Sequence, residues 1–152
     1  MILGDELMAL VRSQLAAGQK VRYLPFSGVS MLPMLRQGKD TVEIAPLPEK
    51  LKKYDLPVYQ YPSGKYVMHR VVDVREDHYI CLGDNTYAYE KITDDMMIGV
   101  VSAFKRGDKR ISVDAFGYKL YCRVWCAVFP LRKFLKRAKN WLRRLLKCKK
   151  HP

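Results

Sequence analysis

Apolar residues near the start of the chain recur at helical intervals. Leu3, Leu7, Leu10, Val11 and Leu15 fall on one face, which predicts a short amphipathic helix over residues 3–17 with Gly18 as its stop. From residue 21 the pattern shifts to strands. Val21 to Phe26 reads as a strand entering a Ser27-Gly28 turn, Pro33 permits only a short helical turn after Ser30, and Gln37 to Asp40 is another turn. Six further runs rich in Val, Ile, Tyr and Thr follow: Thr41–Ala45, Pro57–Tyr61, Tyr66–Val74, His78–Leu82, Ile98–Phe104 and Ile111–Val113. Turn residues such as Pro62-Ser63-Gly64 and Arg106-Gly107-Asp108 separate them. Short strands so spaced predict a mainly-β domain, a barrel or a folded-over sheet. After Gly117 the helical period returns. Leu131, Phe134, Leu135, Ala138, Trp141, Leu142, Leu145 and Leu146 mark one helix face, Lys and Arg fill the other, and Pro130 suits the helix start. The expected organisation is a globular domain over residues 1–116 and a basic amphipathic helical tail over 117–152.

Charge sharpens that division. The 152-residue chain carries a net charge of +13, from 28 basic and 15 acidic side chains. Twelve of the basic residues and none of the acidic ones lie from Gly117 onward, so the first 116 residues are nearly neutral. A tail of that kind suits an anionic membrane surface, with about 1 kcal/mol for each Lys or Arg near the lipid. That reading of residues 118–150 is preferred to a helix packed on a partner, and both are preferred to nucleic acid or a merely solvated tail. No stretch approaches the ~20 apolar residues of a spanning helix. The N-terminus is acidic where a secretory signal is basic. The expected location is the cytoplasm, peripheral on the inner face of the cell membrane. Cys81, Cys122, Cys126 and Cys148 form neither a CxxC pair nor a zinc spacing; they read as small apolar fillers in a reducing compartment. No metal or cofactor is called for.

Three segments carry possible chemistry: Ser27-Gly28-Val29-Ser30-Met31-Leu32-Pro33, Tyr66-Val67-Met68-His69-Arg70-Val71 and Leu82-Gly83-Asp84-Asn85. Singly, each is ordinary, since a serine in a turn, a histidine in a strand and a Gly-Asp-Asn turn all have structural uses. Together and in this order they resemble the signal peptidase I family and its relatives in the LexA-type peptidase superfamily. That family carries a Gly-x-Ser-Met-x-Pro box, matched by Gly28 to Pro33. It continues with a Gly-x-Asp-x-Val stretch, matched by Gly38 to Val42, then a base before Arg-Val, and then Gly-Asp-Asn, matched by Gly83 to Asn85. The resemblance covers residues 23–101. His69-Arg70-Val71 resembles the Ser–His branch of archaeal and endoplasmic-reticulum enzymes, not the Ser–Lys branch.

The resemblance implies a folded-over, barrel-like catalytic domain, Ser30 as nucleophile and His69 as base. It implicates two acids, Asp84 first and Glu90 second, for orienting His69; Glu90 stands where the family has Asp. The chemistry is coherent. A serine hydroxyl needs a base to take its proton, and an imidazole, ordinarily with a pKa near ~6.5, can do so and then protonate the leaving amine. A carboxylate on the other ring nitrogen fixes the tautomer. The Ser30 N–H is the natural oxyanion donor; Gly28 and Met31 shape the loop around it, and Gly28 supplies no side-chain donor. His78 and His151 read as bystanders. The family binds extended peptides along a strand edge and prefers small side chains before the cut, so a peptide or protein substrate of that kind is implied. The alternatives are a LexA-like self-cleaving regulator, with Ala17-Gly18 as its bond, and an inactive binding module on the same fold.

Overall fold

The protein is described by a computed structural model covering residues 5–148, so Leu3 and His151 lie outside the described residues. The side chains of Leu142, Leu145, Leu146 and Cys148 are likewise not described. Helix α1, Asp5–Ala16, buries Met8, Val11 and Leu15. Met8 therefore joins the inward stripe, while Leu7 and Leu10 face out. Gly18 ends the helix at φ +75°, a conformation that favours glycine.

Nine strands form two antiparallel sheets among the described residues. They are β1 (Val21–Leu24), β2 (Asp40–Ala45), β3 (Pro57–Gln60), β4 (Tyr66–Met68), β5 (Arg70–Val74), β6 (Tyr79–Leu82), β7 (Glu90–Ile92), β8 (Met97–Arg106) and β9 (Lys109–Ser112). The larger sheet runs β1-β2-β8-β3-β4, with β9 also on β8; the smaller runs β5-β6-β7. The long strand β8 pairs Val42 with Phe104 on one side and Val58 with Gly99 on the other. Gly99 lets α1 lie close, because a Cβ there would meet Leu15 Cδ1 at 2.9 Å and Ile44 Cγ2 at 2.6 Å. One core cluster lies between α1, the larger sheet and the helix after β9, and holds Val11, Leu35, Ile44 and Phe104. A second, around Tyr59, Val71, Cys81 and Ile92, joins the two sheets.

Two expectations change. The content is 30% helix and 31% strand, and the sheets do not close into a barrel, so the fold is mixed rather than mainly β. The expected tail contains two helices, α2 (Phe116–Ala127) and α3 (Phe129–Cys148). Tyr118 and Cys122 of α2 belong to the main core cluster. The expected boundary at 116/117 therefore separates α2 from a core it helps to build.

Candidate active site

The expected strand Tyr66–Val74 is broken at one residue, and that residue is His69. It links β4 of the larger sheet to β5 of the smaller one. Its neighbours Met68 and Arg70 are held by different sheets, which fixes the imidazole at their junction. His69 is buried, with only 5% of its surface exposed.

The two ring nitrogens face different partners. Nδ1 lies 2.7 Å from Glu90 Oε2, at the start of β7. Tyr59 on β3 donates its hydroxyl to the same carboxylate oxygen and stands 3.3 Å from Nδ1. Burial pushes the Glu90 carboxyl up, but hydrogen bonds from His69, Tyr59 and Tyr61 outweigh it and hold the group below its ordinary range. Burial, and then the bond to Glu90, pushes the Tyr59 phenol far up, so it remains a donor. The same two causes push Tyr61 up to about 12.

Nε2 faces the serine loop. A Cβ on Gly83 would stand 2.9 Å from His69 Nε2, 2.9 Å from the Ser30 carbonyl oxygen and 2.8 Å from Thr86 Cγ2. Those two atoms are thus at most twice 2.9 Å apart, across a gap that only glycine leaves open. The Gly83-Asp84-Asn85 turn also fastens the serine loop. Asn85 donates from its backbone N–H to the Ser30 carbonyl at 2.7 Å and from its side chain to the Val29 carbonyl at 3.1 Å. Ser30, His69 and Glu90 line one cleft of about 410 Å³, with Gly28, Met31 and Tyr61. The Ser30 hydroxyl makes no hydrogen bond to His69 among the described residues. Serine–histidine contacts in enzymes are commonly long before substrate arrives.

Asp84, the first choice for the acid on His69, sits elsewhere. Its carboxylate receives the Arg70 guanidinium in a two-point fork, at 2.9 Å from Nε and 2.8 Å from Nη2. The Tyr121 hydroxyl completes it at 3.0 Å. The order of the two acids is reversed, with Glu90 on the imidazole and Asp84 on the arginine. His69 stands at the break between β4 and β5, whereas Arg70 begins β5 and turns toward Tyr118 and Met34 in the main core. Gly28 adopts φ +106° and donates its N–H to Gln37 Oε1 at 2.8 Å, so this donor is already engaged. The Ser30 N–H makes no hydrogen bond among the described residues. Met31 is buried in the main core and anchors the loop from beneath. His78 pairs with Asp77 at 2.6 Å, away from the cleft lining.

Sequence reading missed Tyr59 and Thr86. Tyr59 lay in an apolar strand and carried no motif; Thr86, whose hydroxyl receives the Gly83 N–H at 2.9 Å, followed the Gly-Asp-Asn box by one residue. No protein-family model, no curated protein and no solved structure matches this chain.

Proposed function

We propose that the protein is a serine endopeptidase of the signal-peptidase type, cleaving signal- or leader-like peptides. The observation that carries this reading is the polarised imidazole: His69 has a carboxylate 2.7 Å from Nδ1 and turns Nε2 toward the Ser30 loop. In this mechanism Ser30 Oγ attacks the scissile carbonyl carbon while its proton passes to His69 Nε2. The new oxyanion is received by the Ser30 N–H. The protonated imidazole gives its proton to the leaving amine, and the acyl–Ser30 ester is then hydrolysed by water with His69 again as base. Glu90, ionised through its three donors, stabilises the imidazolium, and Tyr59 holds Glu90 in place.

The cleft supports an extended peptide as substrate. It reaches Tyr66 and Val67 of β4, which among the described residues pairs only with β3 and ends its sheet. Self-cleavage at Ala17-Gly18 receives no comparable support. That bond lies in the hydrogen-bonded end of α1, with Ala17 N–H on the Ser13 carbonyl at 3.1 Å and Gly18 N–H on the Leu15 carbonyl at 3.0 Å. No helix is long and apolar enough to cross a membrane among the described residues. The proposed location is peripheral, on the inner face of the cell membrane, through the basic tail.

A peptide library with Ala-x-Ala sites tests the activity. Cleavage after the second small residue is expected, absent with either Ser30→Ala or His69→Ala. Cleavage that survives both substitutions would remove the proposal.

A further inference from the structure

Helix α3 lies against its own domain in an unusual sense. An amphipathic helix on a globular body ordinarily turns its apolar face inward. Here the first two turns of α3 meet the body with Phe129 and basic residues. Arg132 donates to the Asp84 carbonyl at 2.7 Å and lies 3.9 Å from the Trp125 ring centroid. Lys136 stands 3.8 Å from the ring centroid of Tyr87, and Phe129 packs on Tyr87 and Tyr89. Positions 129, 132, 133 and 136 share one helix face, so the apolar positions point away from the protein. Leu131, Phe134, Leu135 and Trp141 are between 56% and 66% exposed.

The same holds one helix earlier. Tyr118 and Cys122 turn inward from α2, while Phe116, Leu120 and Val124 form an exposed stripe at four-residue spacing on its opposite side. Only Val128 separates the two helices, and the Val128 and Arg132 amides continue the bonding pattern to the Val124 and Val128 carbonyls, each at 3.0 Å. The outward stripe therefore runs from Phe116 to Trp141. Arg137 and Lys139 flank its second half, both exposed.

We propose that the outward faces of α2 and α3 form one docking surface for an anionic lipid bilayer, with α3 lying in the plane of the interface. This rests on the peripheral location proposed above and names the surface responsible; it does not depend on the peptidase reading. A row of exposed Leu, Phe and Trp side chains flanked by cations matches the acyl–headgroup boundary of an anionic leaflet. A second copy is a poor occupant. Two such faces set together would bring two basic helices into contact, with no acidic residue after Asp114 to offset them. Nucleic acid phosphates would be met by apolar side chains on this face, not by the basic ones.

Sedimentation of the full-length protein with vesicles tests the surface. Vesicles of phosphatidylglycerol and phosphatidylcholine are compared with phosphatidylcholine alone, using wild type, Phe134→Glu and Leu120→Glu. The expected result is binding to the anionic vesicles, at least tenfold weaker with phosphatidylcholine alone, weakened by salt, and reduced at least tenfold by each substitution at an unchanged melting temperature. Because Phe134 and Leu120 face outward, both variants should fold, and thermal unfolding verifies it. Binding that neither substitution weakens would overturn the surface while leaving the peripheral location standing. No binding to anionic vesicles would overturn both. A dimer in sedimentation velocity that Phe134→Glu dissociates, with no vesicle binding, would assign the face to a second copy and overturn the lipid proposal. Cleavage is not read in any arm, so none of these results bears on the peptidase reading.

Discussion

At His69 a single residue links two sheets, with Nδ1 on Glu90 and Nε2 toward the Gly83 turn and the Ser30 loop. Gly83 shows how little room that arrangement leaves. A methyl at this position would press on the imidazole and on the Ser30 backbone together, each at 2.9 Å. Since a displacement of ~1 Å at a reacting centre can cost ~100-fold, Gly83→Ala should lower kcat/KM by about that factor, measured on a cleaved peptide. Glu90 permits a pH test. Its carboxyl is held below its ordinary 4.5, so its contribution to stability is complete above that pH and is lost as pH falls through the lower folded value. The difference in unfolding free energy between wild type and Glu90→Gln should be flat at neutral pH and shrink below about pH 4.5; a difference that grows on acidification would contradict this assignment. Much of this site could be read from the sequence, since Ser30, His69, Gly83 and Glu90 all lay in or beside the ordered motifs. Tyr59 could not, because a tyrosine in an apolar strand is equally consistent with core packing, and only the fold carries its hydroxyl to Glu90. The ranking of the two acids was equally hidden, since it depends on the break between β4 and β5 that parts His69 from Arg70.

Among the elements, Arg70 at the head of β5 is the main fastening. Its fully buried guanidinium forks onto Asp84, receives support from the Tyr118 hydroxyl of α2 at 3.0 Å, and reaches Met34 beneath the serine loop at 2.9 Å. One cation therefore ties β5, the Gly83–Asn85 turn, α2 and the serine loop. Removing one member of a buried ion pair commonly costs about 3–5 kcal/mol, because the other charge is left without compensation. Asp84→Asn should accordingly lower the melting temperature strongly, whereas Glu90→Gln should lower it much less and chiefly reduce kcat. Parallel thermal melts and kinetics on the two variants separate a structural acid from one that serves the base. The sequence pattern found most strands of the larger sheet to within a few residues. It missed β7, whose three residues Glu90-Lys91-Ile92 are too short and too polar to show alternation. It placed residues 117–127 in one helical tail and so did not separate α2, whose Tyr118 and Cys122 dock into the core, from α3.

For the whole molecule, the near-neutral and basic halves of the sequence do not correspond to body and tail. The charge changes at α2, but the packing on the body continues through the first two turns of α3. A chain ended at Asn140 should therefore unfold in one cooperative transition and cleave a soluble peptide within several-fold of the full chain, because both sheets, α2, the Phe129–Lys136 contacts and the Ser30–His69–Glu90 line remain. A chain ended at Asp114 should not fold, because Arg70 would lose Tyr118 and the main core would lose α2. Circular dichroism melts of the two shortened chains check this. The expected barrel did not form because β4 and β5 part at His69 into separate sheets, an event set by tertiary packing and invisible in the alternation of residues 66–74. That parting also creates the cleft lined by Ser30, His69 and Glu90. The most direct measurement is kcat/KM of Ser30→Ala on the best-cleaved peptide, beside a thermal melt. A fall of about 1000-fold or more with an unchanged melt is the expected result; a variant that cleaves as fast as wild type would contradict Ser30 as nucleophile and with it the peptidase mechanism.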